Sequence, residues 1–317
     1  MPLSPVWTHA SPKQATGWEQ ALFTPSKFSA SVALGLAASL VACGGGGGSS
    51  SSAAAPLTLS LPSSYVLKWS DEFSTDGAPS AAWTYDLGAP LLGGTVWGNN
   101  EQEYYTSDPA NVYVSAGQLT IQPVAGLPSG APTNLNLLAS SARIKTDTSS
   151  YYAALNGTPY GFYEIRAKVP CLPGAWPAVW MMGRDGVWPD RGEIDIMEWF
   201  GRYFSSNINQ VQSGLHTKNN SGENSFYQKA NVSSMCSAYH NFQMHWTASE
   251  ILIGVDGVKT FSYKKPSSAG VNDWPFDSPA YLILNVAVGG NLGGSVTTSD
   301  IASMAMKVDY VKVWQPH

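Results

Sequence analysis

From Leu57 to the end of the chain, no long stretch shows the 3.6-residue apolar period of an amphipathic helix. Short runs with β character recur instead, and turn residues separate them. Many short strands without helices indicate an all-β sandwich or barrel. Asp256-Gly257 predicts a hairpin turn, and the Pro- and Gly-rich segment 126–136 predicts a surface loop. The predicted strands are 111–114, 118–123, 161–169, 178–182, 193–199, 241–246, 251–255, 258–263, 281–288 and 307–314.

Three carboxylates lie in the otherwise apolar run Gly192-Glu193-Ile194-Asp195-Ile196-Met197-Glu198-Trp199. Strand alternation puts Glu193 and Asp195 on one face, and a β-bulge would return Glu198 to that face. The two glutamates would then leave a gap of roughly 5–6 Å, close to the ~5–5.5 Å of a retaining glycosidase. Asp195 between them would hold their pKa values apart. A metal site and a solvated acidic face are the alternative interpretations of this segment.

Composition favours one β domain with a weakly charged surface. Only 12% of the 317 residues are charged, and the net charge of −5 gives no reason to expect nucleic acid as a partner. The chain has 12 Trp and 15 Tyr. Most of these rings would fill the core, but sugar-binding clefts also need flat aromatic surfaces.

The N-terminal region predicts export and lipid attachment. An uncharged, mostly apolar run at 28–42 follows Lys27 and has the length of a signal-peptide core rather than a membrane span. It ends in Leu40-Val41-Ala42-Cys43-Gly44, which resembles a bacterial lipobox with Cys43 as the lipidated residue, and a Gly/Ser/Ala tether follows. We therefore expect a signal peptide at 1–42, a lipidated linker at 43–62 and a catalytic domain at 63–317. The expected location is the bacterial cell envelope, anchored to the outer membrane, or the extracellular space.

Two further cysteines remain once Cys43 is assigned to the lipid. In an exported protein, Cys171 and Cys236 either form a disulfide or stay as buried free thiols. Neither they nor the five His residues show the spacing of a zinc site.

Several motifs in the mature chain resemble glycoside hydrolase family 16, in particular its bacterial laminarinase-like β-glucanases. The resemblance covers about residues 65–315, and the central Glu-Ile-Asp-Ile-Met-Glu matches the family's bulged active-site form. The matching segments are 69–73, 97–101, 104–106, 161–168, 176–181, 192–198, 281–290 and 308–313.

The resemblance implies a β-jelly-roll sandwich of two antiparallel sheets with a concave substrate cleft. It implies Glu193 as nucleophile, Glu198 as acid/base and Asp195 as the residue that tunes the nucleophile. No cofactor is implied for catalysis.

The resemblance also suggests substrate-binding residues around these acids. Trp176 and Trp180 are expected to face the same way as sugar platforms, although core packing is the alternative. For Arg143 the alternative is a surface charge, and for His216 a hydrogen-bonded core histidine. The candidate substrate-binding residues are Asn99, Asn100, Arg143, Trp176, Trp180, Trp188, Trp199 and His216.

Members of this family often carry one structural calcium ion. The positions that match its ligands are Glu72, the backbone carbonyl of Gly117, and Asp309. Oxygen ligands suit calcium. From the sequence alone, Asp309 is only an acid in an apolar strand.

We therefore expect a monomeric enzyme that hydrolyses β-1,3-glucosidic bonds in laminarin-type β-glucan with retention of configuration. The alternatives on the same fold are a hydrolase of agarose, carrageenan, porphyran or mixed-linkage glucan, or a transglycosylase. A non-catalytic glycan-binding protein at the cell surface is the alternative of a different class. The loop 200–213 matches no specificity pattern, and loops decide such preferences.

Overall fold

Two large antiparallel sheets account for most of the chain that the computed structural model describes, which is residues 58–317. The strands in chain order are β1 (Tyr65–Asp71), β2 (Thr84–Asp86), β3 (Leu91–Leu92), β4 (Thr95–Val96), β5 (Glu103–Tyr105), β6 (Val112–Ser115), β7 (Gln118–Ile121), β8 (Val124–Ala125), β9 (Ala139–Ser141), β10 (Arg143–Lys145), β11 (Gly161–Lys168), β12 (Ala175–Gly183), β13 (Glu193–Glu198), β14 (Gln210–His216), β15 (Phe226–Asn231), β16 (His240–Trp246), β17 (Glu250–Val255), β18 (Val258–Lys264), β19 (Ala280–Val288) and β20 (Met306–Pro316). The predicted all-β sandwich is confirmed.

The eight-stranded sheet has the order β18-β17-β16-β11-β20-β7-β6, with β1 added beside β20. The seven-stranded sheet has the order β15-β14-β13-β12-β19-β10-β2. Two small sheets, β5-β9-β8 and β3-β4, complete the sheet structure of the described chain.

Alternating side chains from the two large sheets form one shared core. Ile165 on β11 and Met244 on β16 enter it from one side, and Ile194 and Met197 on β13 enter it from the other. All nine residues of β19 are buried, because this central strand is covered on both faces. We call the opposite face of the seven-stranded sheet, which carries Glu193, the cleft face.

Three short helices occur in residues 58–317: α1 (Ser149–Ala154), α2 (Gly290–Gly293) and α3 (Thr298–Ile301). Short 3-10 turns also occur at Gly201–Tyr203 and Gly222–Asn224. The sequence predicted no helices. The six residues of α1 are too few to show a helical period, but Thr148 caps α1 by accepting a hydrogen bond from Tyr151 N at 3.2 Å.

The predicted hairpin turn and surface loop are both present. Asp256 and Gly257 join β17 to β18, and both have positive φ angles, 51° and 78°, as a type I′ turn requires. Residues 126–136 run between β8 and β9 without regular structure.

The described chain begins on the surface of the eight-stranded sheet. Thr58 forms a bridge with Val258, and Leu59 is buried and donates its N–H to the Gly257 carbonyl at 2.7 Å. The last residues of the predicted linker, 58–62, therefore lie against the domain. The predicted signal peptide and Cys43 lie outside the described residues. Within residues 58–317, no helix is long and apolar enough to span a bilayer.

A disulfide joins Cys171 to Cys236, which are 65 positions apart. The loop that it closes contains strands β12 to β15. The covalent link therefore encloses the part of the seven-stranded sheet that carries the acidic cluster.

Candidate active site

The three acids of β13 lie on one face of the seven-stranded sheet. On β12, Glu193 lies opposite Met182, Asp195 opposite Trp180 and Glu198 opposite Ala178. These partners alternate along β12, so the three carboxylates share one face.

A β-bulge in β13 produces this alignment, as the sequence predicted. The register with β14 shifts between Asp195 and Glu198, and the register with β12 shifts at the same place. Ile196 and Met197 are consecutive and both lie in the core. Glu193 and Glu198 are thus separated by four ladder positions, or about 13 Å of strand, instead of five.

Each of the two glutamates accepts a hydrogen bond from an indole. Trp188 Nε1 donates to Glu193 Oε2 at 2.6 Å, and Trp176 Nε1 donates to Glu198 Oε1 at 3.1 Å. The two environments differ, because 48% of Trp188 is exposed but only 9% of Trp176. The structure therefore gives each glutamate its own fixed donor.

His216 lies beside the middle acid. Its Nδ1 accepts the Gly222 N–H at 3.2 Å, so the neutral ring carries its proton on Nε2, which donates to Asp195 Oδ2 at 3.2 Å. Burial alone lowers the pKa of His216, but the hydrogen bond and charge of Asp195, with the charges of Glu193 and Glu198, raise it to about 9. His216 thus contacts the acidic cluster directly.

Burial and nearby negative charges raise the pKa values of both glutamates. Burial raises the pKa of Glu193 to about 8, with a further increase from the Asp195 charge, while the Trp188 hydrogen bond opposes the shift. Burial, then the charges of Asp195 and Glu193, raise the pKa of Glu198 well above its usual range, and the Trp176 hydrogen bond opposes this. A site with one ionised and one protonated glutamate can combine nucleophilic attack with proton donation.

Arg143 lies at the β10 side of the cleft face, between two indoles. Its Cζ is 4.6 Å from the ring centroid of Trp97 and 4.6 Å from that of Trp180, and its Nε pairs with Asp86 at 2.9 Å. Trp180 Nε1 donates to Asn285 Oδ1 at 2.7 Å. The predicted shared orientation of Trp176 and Trp180 agrees with their positions on alternate residues of β12.

The predicted polar residues Asn99 and Asn100 lie next to α2, which follows β19. Asn100 Nδ2 donates to Asn291 Oδ1 at 3.0 Å, and the Asn99 carbonyl accepts Asn291 N–H at 2.8 Å. Asn100 has a positive φ of 57°, which asparagine tolerates better than most residues.

The prediction that Trp199 lines a sugar subsite is wrong. Trp199 is 1% exposed, belongs to the shared core and donates its Nε1–H to the Ile208 carbonyl at 2.9 Å. It follows Glu198 directly, and successive residues of a strand point to opposite faces.

The sequence did not single out two buried carboxyls near Asn99. Glu101 and Glu103 are 6% and 0% exposed, and Glu103 Oε2 accepts the Val288 N–H at 2.7 Å. Burial and the Glu103 charge raise the pKa of Glu101 well above its usual range, and burial raises that of Glu103 as well. The available sequence signal was their position: Glu101 ends the 97–101 motif, and Glu103 lies two residues after it. Asp86, the partner of Arg143, had no signal in the sequence.

Two of the three residues expected as calcium ligands, Glu72 and Asp309, form ion pairs in this structure. Lys312 Nζ lies 3.0 Å from Glu72 Oε1, and Arg166 Nε lies 3.0 Å from Asp309 Oδ2. Each carboxylate is therefore already paired with a cation, which opposes a divalent ion at the same oxygens. Among residues 58–317, the cluster with metal-ligand geometry is Glu193, Asp195 and His216, inside the active site itself.

The sandwich fold and the acids on its open face have the arrangement of a glycoside hydrolase that uses two carboxyl groups. The model of the glycosyl hydrolases family 16 matches residues 99–312. The chain belongs to this family.

Characterised relatives and solved structures agree with this assignment. The chain is 35% identical to glucan endo-1,3-beta-glucosidase A1 of Niallia circulans, over 78% of this chain and 38% of that protein. It is also 35% identical to the beta-glucanase of Rhodothermus marinus, over 78% of this chain and 85% of the relative. The crystal structure of SCLam, a non-specific endo-beta-1,3(4)-glucanase from family GH16, has a TM-score of 0.72 and 36% identity, and the match covers 82% of this chain and 94% of SCLam.

Proposed function

We propose that this protein is an endo-β-1,3-glucanase that cleaves laminarin-type β-glucan with retention of configuration. The observation that carries the proposal is the shared cleft face of Glu193 and Glu198, each with its own indole donor. The names of the Niallia circulans enzyme and SCLam support a β-1,3-glucan substrate, and the name of the Rhodothermus marinus enzyme supports a β-glucan.

In the first step, ionised Glu193 attacks the anomeric carbon while the bond from that carbon to the glycosidic oxygen breaks. Protonated Glu198 gives its proton to the leaving oxygen. A glycosyl ester on Glu193 forms, and the leaving chain departs with a new hydroxyl. Because Trp188 already donates to Glu193 Oε2, we assign the attack to Oε1.

In the second step, Glu198 is a carboxylate and accepts a proton from water. The water oxygen attacks the anomeric carbon, and the ester bond to Glu193 breaks. Two inversions give net retention. Asp195, which lies between the two glutamates along β13, accepts a hydrogen bond from His216 Nε2 at 3.2 Å.

Hydrolysis of defined polysaccharides tests the substrate. We expect new reducing ends from laminarin and none from agarose, with lichenan reporting tolerance of mixed linkages. Cleavage of agarose with intact laminarin would overturn the substrate, and no cleavage of any of them would overturn the enzymatic function.

A matched pair of substitutions tests the nucleophile. Glu193→Gln removes the ionisable group while keeping its size, so we expect turnover to fall by several orders of magnitude while laminarin binding persists. Glu250→Gln makes the same chemical change on β17 of the other sheet and should leave turnover unchanged. Equal turnover in both variants would remove Glu193 from the mechanism.

We also propose, from the sequence alone, that the chain is exported and anchored by a lipid on Cys43. Cys43→Ser should release the enzyme from the membrane fraction, and mass spectrometry should find the wild-type mature chain starting at a lipidated Cys43. A wild-type chain that is soluble and begins elsewhere would contradict this.

A further inference from the structure

A charged aromatic cluster lies beyond the catalytic strand, in and beside the 200–213 loop. It consists of Arg202, Tyr203 and Lys229, and we call it the Tyr203 cluster. Arg202 Cζ is 4.7 Å from the ring centroid of Tyr203, and Lys229 Nζ is 4.5 Å from it. Both distances fit cation–π contacts.

The cluster lies on the cleft face. Lys229 on β15 is directly opposite Gln212 on β14, which is directly opposite Glu198 on β13. Residues opposite one another on neighbouring strands share a face, so Lys229 is about 9–10 Å across the sheet from Glu198.

Aromatic rings connect the cluster to the proton donor. The ring centroids of Tyr203 and Phe200 are 6.1 Å apart, as are those of Phe200 and Trp176, whose Nε1 donates to Glu198. These rings form a small apolar cluster separate from the main core. A leaving-group sugar that extends from Glu198 toward β15 would therefore lie near Tyr203.

The position of Arg143 indicates whether the Tyr203 cluster lies on the leaving-group side of the cleft or on the opposite side. Arg143 lies on β10, on the opposite side of β13 from β15. Arg143, Asn99 and Asn100 are the candidates for binding the sugar that becomes attached to Glu193. The Tyr203 cluster then faces the sugar on the leaving-group side.

The two cations of the cluster are held in place without a neutralising acid. Arg143 and Lys145 pair with Asp86, and Lys218 pairs with Asp190. Within residues 58–317, no carboxylate forms an ion pair with Arg202 or Lys229, and Arg202 Nη1 donates instead to the Asn291 carbonyl at 3.2 Å.

Tight backbone packing fixes Arg202. A Cβ atom on the preceding residue, Gly201, would lie 2.6 Å from the Gly293 carbonyl and 2.7 Å from the Ala175 carbonyl, so only glycine fits there. On the other side, Asn207 Nδ2 donates to Asn231 Oδ1 at 2.8 Å and holds the loop against β15. A braced loop thus presents Arg202 toward the leaving-group side, and Lys229 lies beside it on β15.

We propose that the Tyr203 cluster binds an anionic substituent, a sulfate ester or a carboxylate, on the leaving-group sugar that Glu198 protonates. This specificity rests on the glucanase function proposed above. Paired cations beside an aromatic surface suit a charged group on a sugar ring, whereas a neutral glucan needs no such charge.

The test compares three substrates: laminarin, lightly sulfated laminarin and lightly carboxymethylated laminarin. The measured quantity is kcat/KM on each anionic polymer divided by kcat/KM on laminarin. In the double variant Arg202→Gln/Lys229→Gln we expect this ratio to fall about five- to tenfold, with activity on laminarin nearly unchanged. The wild-type ratio should also fall as salt is raised, and that of the variant should not.

Lys264→Gln/Lys307→Gln is the matched control, because it removes two exposed charges from the other sheet. It should keep the wild-type ratio. The proposal would be overturned if the ratio were the same in wild type and cluster variant, or if it fell equally in the control variant. It would also be overturned if the wild type did not cleave the anionic polymers. If the ratio in the cluster variant fell for sulfated laminarin but not for carboxymethylated laminarin, the cluster would be assigned to sulfate rather than carboxylate. An inactive wild type on laminarin would overturn the proposed function instead.

Discussion

At the scale of single residues, two indole N–H groups distinguish Glu193 from Glu198, the two carboxyls to which we assign catalysis. Glu198 is buried and Glu193 is partly buried, both lie near other acids, and both have raised pKa values. Trp188 and Trp176 each lower the pKa of one of them by stabilising its charged form. The two limbs of the pH profile can therefore be moved separately.

Trp188→Phe should move the acid limb of kcat/KM to higher pH. The variant removes the hydrogen bond that lowers the pKa of Glu193, so this group ionises later, by about 0.5–1 on the pH scale. The pH dependence of laminarin hydrolysis measures this. Trp314→Phe on β20 is the control, and an acid limb that does not move would show that the indole does not tune the nucleophile.

Trp176→Phe should move the alkaline limb of kcat/KM to higher pH. Without its hydrogen bond the pKa of Glu198 rises further, so the proton donor stays protonated to higher pH and the alkaline limb shifts upward. The pH dependence of laminarin hydrolysis measures this shift. If Trp176→Phe moved the acid limb instead, the roles of the two glutamates would be exchanged.

The sequence was sufficient for some of these residues and not for others. Three acids at this spacing in an apolar strand pointed to one shared face. Trp199 was misassigned because the direction of the residue after the bulge depends on where the bulge ends. Asp86 and Arg143 are far apart in sequence and meet only through the pairing of β2 with β10.

At the scale of elements, the bulge in β13 is the feature that builds the site. Ser213 on β14 supports it, because its Oγ donates to the Ile196 carbonyl at 2.9 Å inside the irregular stretch. Ile196 is buried in the core, so its carbonyl would lose stability without a hydrogen-bond donor.

Ser213→Ala should destabilise the domain and impair turnover. A buried carbonyl without its partner costs about 1–3 kcal/mol, or a fall of roughly 2–12 °C in Tm for a domain of this size. Thermal unfolding and kcat on laminarin measure the two effects. Ser237→Ala removes an exposed turn hydrogen bond and should change Tm little, and equal behaviour of the two variants would refute a supporting role for Ser213.

Strong strands were predictable as elements, but the loops were not. The predicted runs at 161–169, 251–255 and 281–288 correspond within a few residues to β11, β17 and β19, because alternation and β-branched content are local properties. The 200–213 loop depends on backbone contacts with the segments around Gly174 and Gly293, which no local pattern encodes.

At the scale of the whole molecule, the disulfide encloses the strands that bear the site. Closing a loop of 65 residues removes chain entropy from the unfolded state, worth about 4 kcal/mol in the entropic model. Cys171→Ser/Cys236→Ser should therefore lower Tm by roughly 8–16 °C. Calorimetry of the variant, and of wild type with a reductant, should agree, and an unchanged Tm in both would rule out this contribution.

The active site should also make folding less favourable at alkaline pH. The pKa of Glu193 is raised from 4.5 to about 8, and that of His216 from 6.5 to about 9. Raised pKa values stabilise the fold at low pH, and this stability is lost as pH rises from about 4.5 to 8 and from about 6.5 to 9.

Glu193→Gln should therefore gain stability at pH 8 and not at pH 4.5. The neutral amide avoids burying a charge, although the partial exposure of Glu193 limits the gain to an increase in Tm of roughly 2–4 °C. Calorimetry at both pH values tests this, with Glu250→Gln as control. A lower Tm at pH 8 would contradict the assigned direction of the pKa shift.

The most direct test of the account is to trap the glycosyl-enzyme and locate its sugar. A 2-deoxy-2-fluoro derivative of an activated β-1,3-linked disaccharide slows both steps, and a good leaving group lets the ester accumulate. Peptide mass spectrometry should then find the disaccharide on Glu193. A sugar attached to Asp195 or Glu198, or no covalent adduct from an enzyme that turns over laminarin, would contradict Glu193 as the nucleophile.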